Sequence, residues 1–293
     1  MGSVPGPSPY AMKDKKKDNK EQGSSDKVHP KNKLNDLTGR EWIKFSKSWF
    51  IFNALHSDLK EERQALGEES KDHPATFSPT MTADFISFFT KRGQTVLDPF
   101  VGIGSTLVAC DRTKRKGIGI ELSEKYAEMA HKRTKQKIII DDARNISKMN
   151  LPKIDYCITS PPYWSILNRS TGSFEKERKA KGLSTNYSNK KADIGNIEGY
   201  EEYLETMFDI FKQVYDLLKP GGYITVIVKN VKQNGNFYPL AWDLGRKLGK
   251  LYELKDEKVW IQDKVRLAPY GYPYAWTSNI IHHYCLILRK PLK

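Results

Sequence analysis

From Gln94 onward the apolar residues come in short continuous runs, separated by stretches in which they recur at helical spacing. Thr95-Val96-Leu97 predicts a buried strand, and the run from Asp98 through Gly102 and Gly104 to Thr106 turns the chain into a helix reaching about Thr113. Gly117 to Ile120 predicts a second strand ending in Glu121, after which Ser123 is set to cap a helix with Tyr126, Met129 and Ala130 on one face. Lys137 to Ile140 is a third strand, followed by Asp141-Asp142; Asp155 to Thr159 is a fourth, running into Ser160-Pro161-Pro162-Tyr163-Trp164. Tyr203, Met207, Ile210, Phe211, Val214 and Leu217 predict a helix from Tyr200 to Leu218, stopped by Lys219-Pro220-Gly221-Gly222 before a fifth strand from Tyr223 to Val228. A helix from Leu240 to Leu248 and antiparallel strands at Lys258 to Ile261 and Ile280 to Leu288 complete the series. Repeated strand-helix-strand units imply right-handed crossovers and an α/β fold. The expectation is a Rossmann-like, mostly parallel, seven-stranded sheet with an antiparallel C-terminal strand and helices on both faces. Ligands of such sheets bind at the carboxyl ends of the strands, where Asp98, Glu121, Asp142 and Ser160 all fall.

Upstream of this rhythm the pattern changes. Residues 1–35 hold Lys15-Lys16-Lys17, with several Gly, Ser and Pro, and are expected to form a disordered basic tail. Residues 36–293 are expected to be a single domain, with order beginning around the aromatic stretch Glu41 to Phe50. A polar helical stretch, Asp58 to Glu69, and the pair His73-Pro74 precede an amphipathic helix from about Thr80 to Thr90, whose Met81, Phe85, Phe88 and Phe89 read as core.

Composition narrows the classes of function. A chain of 293 residues, 38% hydrophobic, can bury one large core. Its net charge of +14 points to a polyanionic partner, most simply nucleic acid, against the plainer reading of a solvated lysine-rich face. Cys110, Cys157 and Cys285 are widely spaced and odd in number, which reads as reduced core thiols and neither a disulfide frame nor a metal site. No apolar run approaches the ~20 residues of a membrane span and no secretory signal is visible, so a soluble, cytoplasmic protein is expected.

Two stretches mix cations with rings. Residues 165–199 carry Arg169, Lys179 and Lys181 among other cations, with Phe174 and Tyr187 between them; Lys264, Arg266, Tyr270, Tyr272, Tyr274 and Trp276 repeat the mixture near the end. Both are placed to hold phosphates and stack on bases, the first as a target-recognition insertion; the bland alternatives are a disordered loop and a core-covering loop.

The chemistry concentrates in two motifs. Asp98-Pro99-Phe100-Val101-Gly102-Ile103-Gly104-Ser105-Thr106 is a strand-to-helix turn whose glycines let a ligand approach the backbone. It lacks the third glycine of a dinucleotide fingerprint, and its acid would repel a pyrophosphate. Glu121 is placed to accept both hydroxyls of a ribose, and Asp142 to accept from an adenine amine. Each acid alone reads equally well as a helix N-terminal charge. Three acids ending three successive strands make S-adenosylmethionine the better explanation. In the second motif, two prolines hold the chain extended, a hydroxyl precedes them and two rings follow, an arrangement suited to gripping a flat polar group.

Together these motifs resemble the amino-group DNA methyltransferases that act on cytosine N4 or adenine N6, over roughly Glu41 to Lys290. The cofactor loop is similar to Asp98 through Thr106, including Pro99, Phe100, Gly102, Gly104 and Thr106; the ribose acid is matched by Glu121, the catalytic motif by Ser160, Pro161, Pro162 and Tyr163, and the methionine-end stretch by His73-Pro74. Ser160 with Trp164 following resembles the cytosine N4 branch, although the cofactor half here precedes the catalytic motif, unlike in many of its members. The resemblance implies S-adenosylmethionine as methyl donor, double-stranded DNA as substrate, no metal, and a cognate restriction endonuclease as a candidate partner. Ser160 and the Pro161 carbonyl would accept the two amine hydrogens, Tyr163 would stack on an extruded base and Trp164 would help shape the pocket. Adenine N6 methylation, RNA methylation and a noncatalytic nucleic-acid binding module remain the rival readings.

Overall fold

The strand runs predicted from the sequence form one sheet in the computed structural model, which describes residues 26–52, 78–164, 193–233, 235–263, 265 and 267–293. In chain order the elements are α1 (Gly39–Phe45), β1 (Trp49–Ile51), α2 (Pro79–Phe89), β2 (Thr95–Asp98), α3 (Ser105–Thr113), β3 (Lys116–Glu121), α4 (Glu124–Arg133) and β4 (Lys137–Ile140). They continue with β5 (Ile154–Thr159), α5 (Tyr200–Leu217), β6 (Leu218–Val228), β7 (Val231–Gln233), β8 (Asn236–Tyr238), α6 (Leu240–Leu248), β9 (Glu253–Ile261) and β10 (His282–Arg289). The sheet runs β1-β9-β10-β6-β5-β2-β3-β4, and β10 is antiparallel to both of its neighbours while every other pair in it is parallel.

All of the expected strands are present, and β1 adds one more beside β9. Three residues with an exposed-intermediate-exposed pattern carry no periodic signal, which is why Trp49-Phe50-Ile51 did not read as a strand. The helix stop also differs from expectation. Residues 219–222 do not form a separate turn: β6 begins at Leu218, and its ladder with β5 absorbs Pro220 and the two glycines as a register shift opposite Ile154 and Tyr156.

Local sequence explains where the helices start. Thr38 and Glu41 form a reciprocal capping box on α1, Ser78 caps α2 with Pro79 in its first turn, and Ser123 accepts from the Tyr126 amide at the start of α4. Both faces of the sheet are covered. On one, Met207, Ile210, Phe211 and Val214 of α5 and Leu244 and Leu248 of α6 pack on Leu97, Cys157, Ile224 and Val226. On the other, Met81, Phe85, Ile86 and Phe89 of α2 meet Val96, Tyr156, Ile158 and Ile227. Burial of each large side chain contributes about 1.5–3 kcal/mol.

The order begins earlier than the boundary at residue 35 expected for the tail. Asn35 is fully buried, its amide donates to the Phe88 carbonyl at 2.6 Å, and Lys91 reaches back to the Asn32 carbonyl at 2.6 Å. These polar side chains finish the carboxyl end of α2, a role that composition does not reveal. The predicted polar helix at 58–69 and most of the recognition insertion at 165–199 lie outside the described residues.

Candidate active site

The carboxyl ends of β2, β3 and β5 lie side by side, because β2 pairs with β3 on one flank and β5 on the other. Their last residues, Asp98, Glu121 and Thr159, therefore converge, and the loops that follow them share one edge of the sheet.

Asp98 ties two of those loops together. It is 1% exposed; one carboxylate oxygen accepts from the Phe100 amide at 3.0 Å and the Thr159 hydroxyl at 2.6 Å, and the other from the Thr106 hydroxyl at 2.5 Å. Burial raises its carboxyl from 3.8 to about 6, against the opposing effect of those donors. The sequence suggested an acid facing a ligand at the strand end. The structure instead places Asp98 beneath the surface, with both oxygens engaged, so that one carboxylate joins the glycine loop to the strand end carrying Ser160.

Glu121 sits differently. One oxygen accepts from the Gly102 amide and the other from the Ser123 amide, both at 2.8 Å, and the side chain remains partly exposed. Each oxygen keeps a lone pair for a further donor, so the pair can accept two neighbouring hydroxyls. Burial raises its carboxyl to about 7, opposed by the two amides and reinforced by Asp98 and Asp193.

The glycine loop makes the adjoining cradle. Gly104 caps α3 at φ +90°, and a Cβ there would stand 2.9 Å from the Ala130 Cβ; a Cβ on Gly119 would meet the Val101 side chain at 2.8 Å. With glycine at the cap, no capping side chain satisfies the first-turn amides of α3. The Ser105 hydroxyl beside them is buried and, among the described residues, has no hydrogen-bond partner. Uncapped amides and a bare hydroxyl at one end, and two carboxylate acceptors at the other, fit a ligand with an anionic group and a vicinal diol.

After β5 the chain turns through Ser160-Pro161-Pro162-Tyr163. The Ser160 hydroxyl donates to the Tyr163 oxygen at 3.1 Å, which leaves the serine lone pairs available. Tyr203 of α5 donates to the Pro162 carbonyl at 2.8 Å and fixes the loop from beneath, whereas among the described residues no donor reaches the Pro161 carbonyl. The Tyr163 ring lies 6.1 Å from that of His283, which is itself stacked on Trp260 at 4.5 Å. Burial, with Lys229 and His282 nearby, depresses His283 to about 3, so its imidazole stays neutral at working pH.

Two expected site residues have other positions. Trp164 is 4% exposed and packs edge-on against Tyr200 and Tyr238, its indole donating to the Glu198 carbonyl at 3.2 Å. A ring enclosed this way anchors the loop from the core and has no open face for a base. Asp142 caps the short helical turn Ala143–Lys148, and its two oxygens are bound by the Arg144 amide and guanidinium. The helix-cap reading wins there over the adenine contact. Tyr272 is 81% exposed in the loop between β9 and β10. His73, Pro74, Arg169, Lys179, Lys181, Lys264 and Arg266 lie outside the described residues.

Sequence reasoning missed Thr159, Tyr203, Ser105 and His283. Thr159 stood in plain sight as the residue before Ser160. Tyr203 read only as a core position on α5, and nothing in its spacing told where its hydroxyl would point.

The strand order, the single antiparallel strand of the main sheet and the convergence of a glycine loop with a Ser-Pro-Pro-Tyr turn define a Rossmann-like methyltransferase fold. A family model described as DNA methylase, covering the N6 and N4 amino-methyltransferases, matches residues 7–132 and 154–293, and the chain belongs to that family. Among curated relatives, the orphan methyltransferase M.BamHII of Bacillus amyloliquefaciens is 30% identical over 103 residues, 35% of this chain and 39% of that protein. The Type II methyltransferase M.SmaI of Serratia marcescens is 41% identical over 80 residues, 26% of this chain and 27% of the relative. The chain thus spans well under half the length of either relative. Among solved structures, a DNA modification methylase of Thermus thermophilus in complex with S-adenosyl-L-methionine is 25% identical, with a TM-score of 0.35 over 52% of this chain and 54% of that one.

Proposed function

We propose that this chain methylates DNA on an exocyclic base nitrogen, with S-adenosylmethionine as donor and the N4 amine of cytosine as acceptor. The observation that carries the reading is the pair of acceptors at Ser160 and Pro161, held rigidly at the strand end that Asp98 ties to the glycine loop. The Ser-Pro-Pro-Tyr form of the motif supports cytosine N4 over adenine N6.

An amine conjugated into a base ring is a poor nucleophile because its lone pair is delocalised. The Ser160 hydroxyl, with its own hydrogen directed at Tyr163, accepts one amine hydrogen, and the Pro161 carbonyl accepts the other. Gripping both hydrogens turns the nitrogen lone pair out of conjugation. Tyr163 stacks on the extruded base, and the neutral His283 beside it keeps that wall of the pocket uncharged. Glu121 holds the ribose hydroxyls, while Ser105 and the first-turn amides of α3 hold the carboxylate of the cofactor. The cofactor supplies a methyl group made electrophilic by its sulfonium. Double-stranded DNA is the substrate, and a restriction endonuclease sharing its target sequence is the partner this activity would complement.

The test is incubation of the protein with labelled cofactor and unmodified DNA, with RNA and the Ser160→Ala variant in parallel, followed by mass spectrometry of the nucleosides. The expected product is N4-methylcytosine in DNA, lost in the variant. N6-methyladenine would overturn the choice of base, and label in RNA alone would overturn the DNA substrate.

A further inference from the structure

The loop between β9 and β10 exposes large rings that no other described residue covers. Tyr272, Tyr274 and Trp276 are 81%, 95% and 89% exposed, three rings within five residues, and Tyr270 beside them is 57% exposed. Folded proteins rarely leave this much apolar ring in water without a use for it.

The loop is nevertheless built. Gln262 donates to the Ile281 carbonyl at 2.9 Å and closes its base. Asn279 and Ala268 exchange two hydrogen bonds, at 2.9 and 2.8 Å, across its waist. At the tip, the amides of Tyr274 and Ala275 both donate to the Gly271 carbonyl, at 2.8 and 2.7 Å. Gly271 sits at φ +80°, where a Cβ would fall 2.2 Å from the Ala275 oxygen, so only glycine makes this turn. Lys232 of β7 reaches across to the Thr277 hydroxyl at 2.8 Å and the Ser278 carbonyl at 2.6 Å. The rings are therefore presented on a braced knuckle.

Its place is the same edge of the sheet as Ser160. The loop leads directly into β10, whose second residue, His283, lies 6.1 Å ring to ring from Tyr163. Between Gln262 and Ile281 the sequence holds Asp263 as its one acid, against Lys264 and Arg266, in a chain of net charge +14.

We propose that residues 267–278 form a base-stacking platform, with Tyr272, Tyr274 and Trp276 taking the faces of unpaired bases in the strand that carries the target nucleotide. The platform deepens the DNA-methylation reading and rests on it for the identity of the strand. Rings exposed to this degree present both faces, which suits insertion between bases; a flat protein surface would contact one side only. Stacking is also tolerant of sequence, so the platform would hold the opened strand without selecting the site.

The test compares the full-length wild type with two triple variants, Tyr272→Ala/Tyr274→Ala/Trp276→Ala and Tyr272→Phe/Tyr274→Phe/Trp276→Phe. Fluorescence anisotropy follows binding to a labelled single-stranded oligonucleotide and to a duplex at several salt concentrations, and methylation of DNA is measured alongside. The expected result is that the alanine variant weakens single-strand binding by about 100-fold, at roughly fivefold per ring, while the phenylalanine variant stays within about threefold of wild type. The salt dependence should be unchanged, because no phosphate contact is removed. Equal single-strand affinity of the alanine variant and wild type would overturn the platform, even if DNA is methylated normally. So would light scattering that shows a wild-type dimer dissociated by the alanine substitutions, which would assign the rings to self-association. Ring-dependent strand binding without any DNA methylation would uphold the platform and sink the DNA-methylation reading instead.

Discussion

Replacing Asp98 separates its structural role from its charge. Asp98→Ala leaves the Thr106 and Thr159 hydroxyls and the Phe100 amide without their acceptor in a site that is 1% exposed. At about 1–3 kcal/mol for each of these three buried groups left unsatisfied, the variant should lose on the order of 3–9 kcal/mol. Asp98→Asn keeps one acceptor oxygen and removes a charge that burial penalises. The raised carboxyl, from 3.8 to about 6, means that the folded protein binds a proton more tightly than the unfolded chain. The contribution of Asp98 to stability is therefore full below about pH 4 and is lost as pH rises through about 6. That loss amounts to about 3 kcal/mol, a difference the Asp98→Asn variant would not show. Urea unfolding at pH 4 and pH 7 should accordingly move in favour of Asp98→Asn, relative to wild type, by about 3 kcal/mol between the two pH values, while Asp98→Ala is destabilised at both. Methylation should fall in both variants, since the glycine loop and the Ser160 turn lose their common tie. An alanine variant within about 1 kcal/mol of wild type, or an asparagine variant whose stability runs parallel to wild type with pH, would refute the tie.

Glu121 must be ionised to accept two hydroxyls, and its carboxyl is raised to about 7, so cofactor affinity by calorimetry should weaken about tenfold as pH falls from 8 to 6. Glu121→Gln should bind weakly and without that slope. Tyr203→Phe removes the hydrogen bond to the Pro162 carbonyl; about 1 kcal/mol of stability should be lost in chemical denaturation, and kcat should fall more than KM rises, because the Ser160 turn is loosened without touching substrate. Trp164→Ala empties a core position and should cost about 3–5 kcal/mol in thermal or urea unfolding, whereas a pocket role would lower activity with stability intact.

Much of the architecture was legible because apolar periodicity and capping residues act locally. Ser123 marked a helix start, the runs at Thr95, Gly117, Lys137 and Asp155 marked strands, and the placement of Asp98, Glu121 and Ser160 at strand ends followed from the alternation. The strand at Trp49–Ile51 was illegible because its three residues exist as a strand only through pairing with β9, some two hundred residues further along. Asn35 was illegible for the same reason: its partner is the end of a helix distant in sequence.

Which groups the site contains could be read from the chain alone: glycines that admit a ligand, acids at successive strand ends, and a serine and two prolines held extended. Which way those groups face depended on the packed fold. A carboxylate has two oxygens to satisfy, and whether they turn inward or toward a ligand depends on donors that only folding brings near. Thr106 and Thr159 took those of Asp98, Arg144 took those of Asp142, and Glu121 kept lone pairs in reserve. Trp164 and Tyr272 differ in the same way, since both are rings in loops and only packing set one in the core and the other in water.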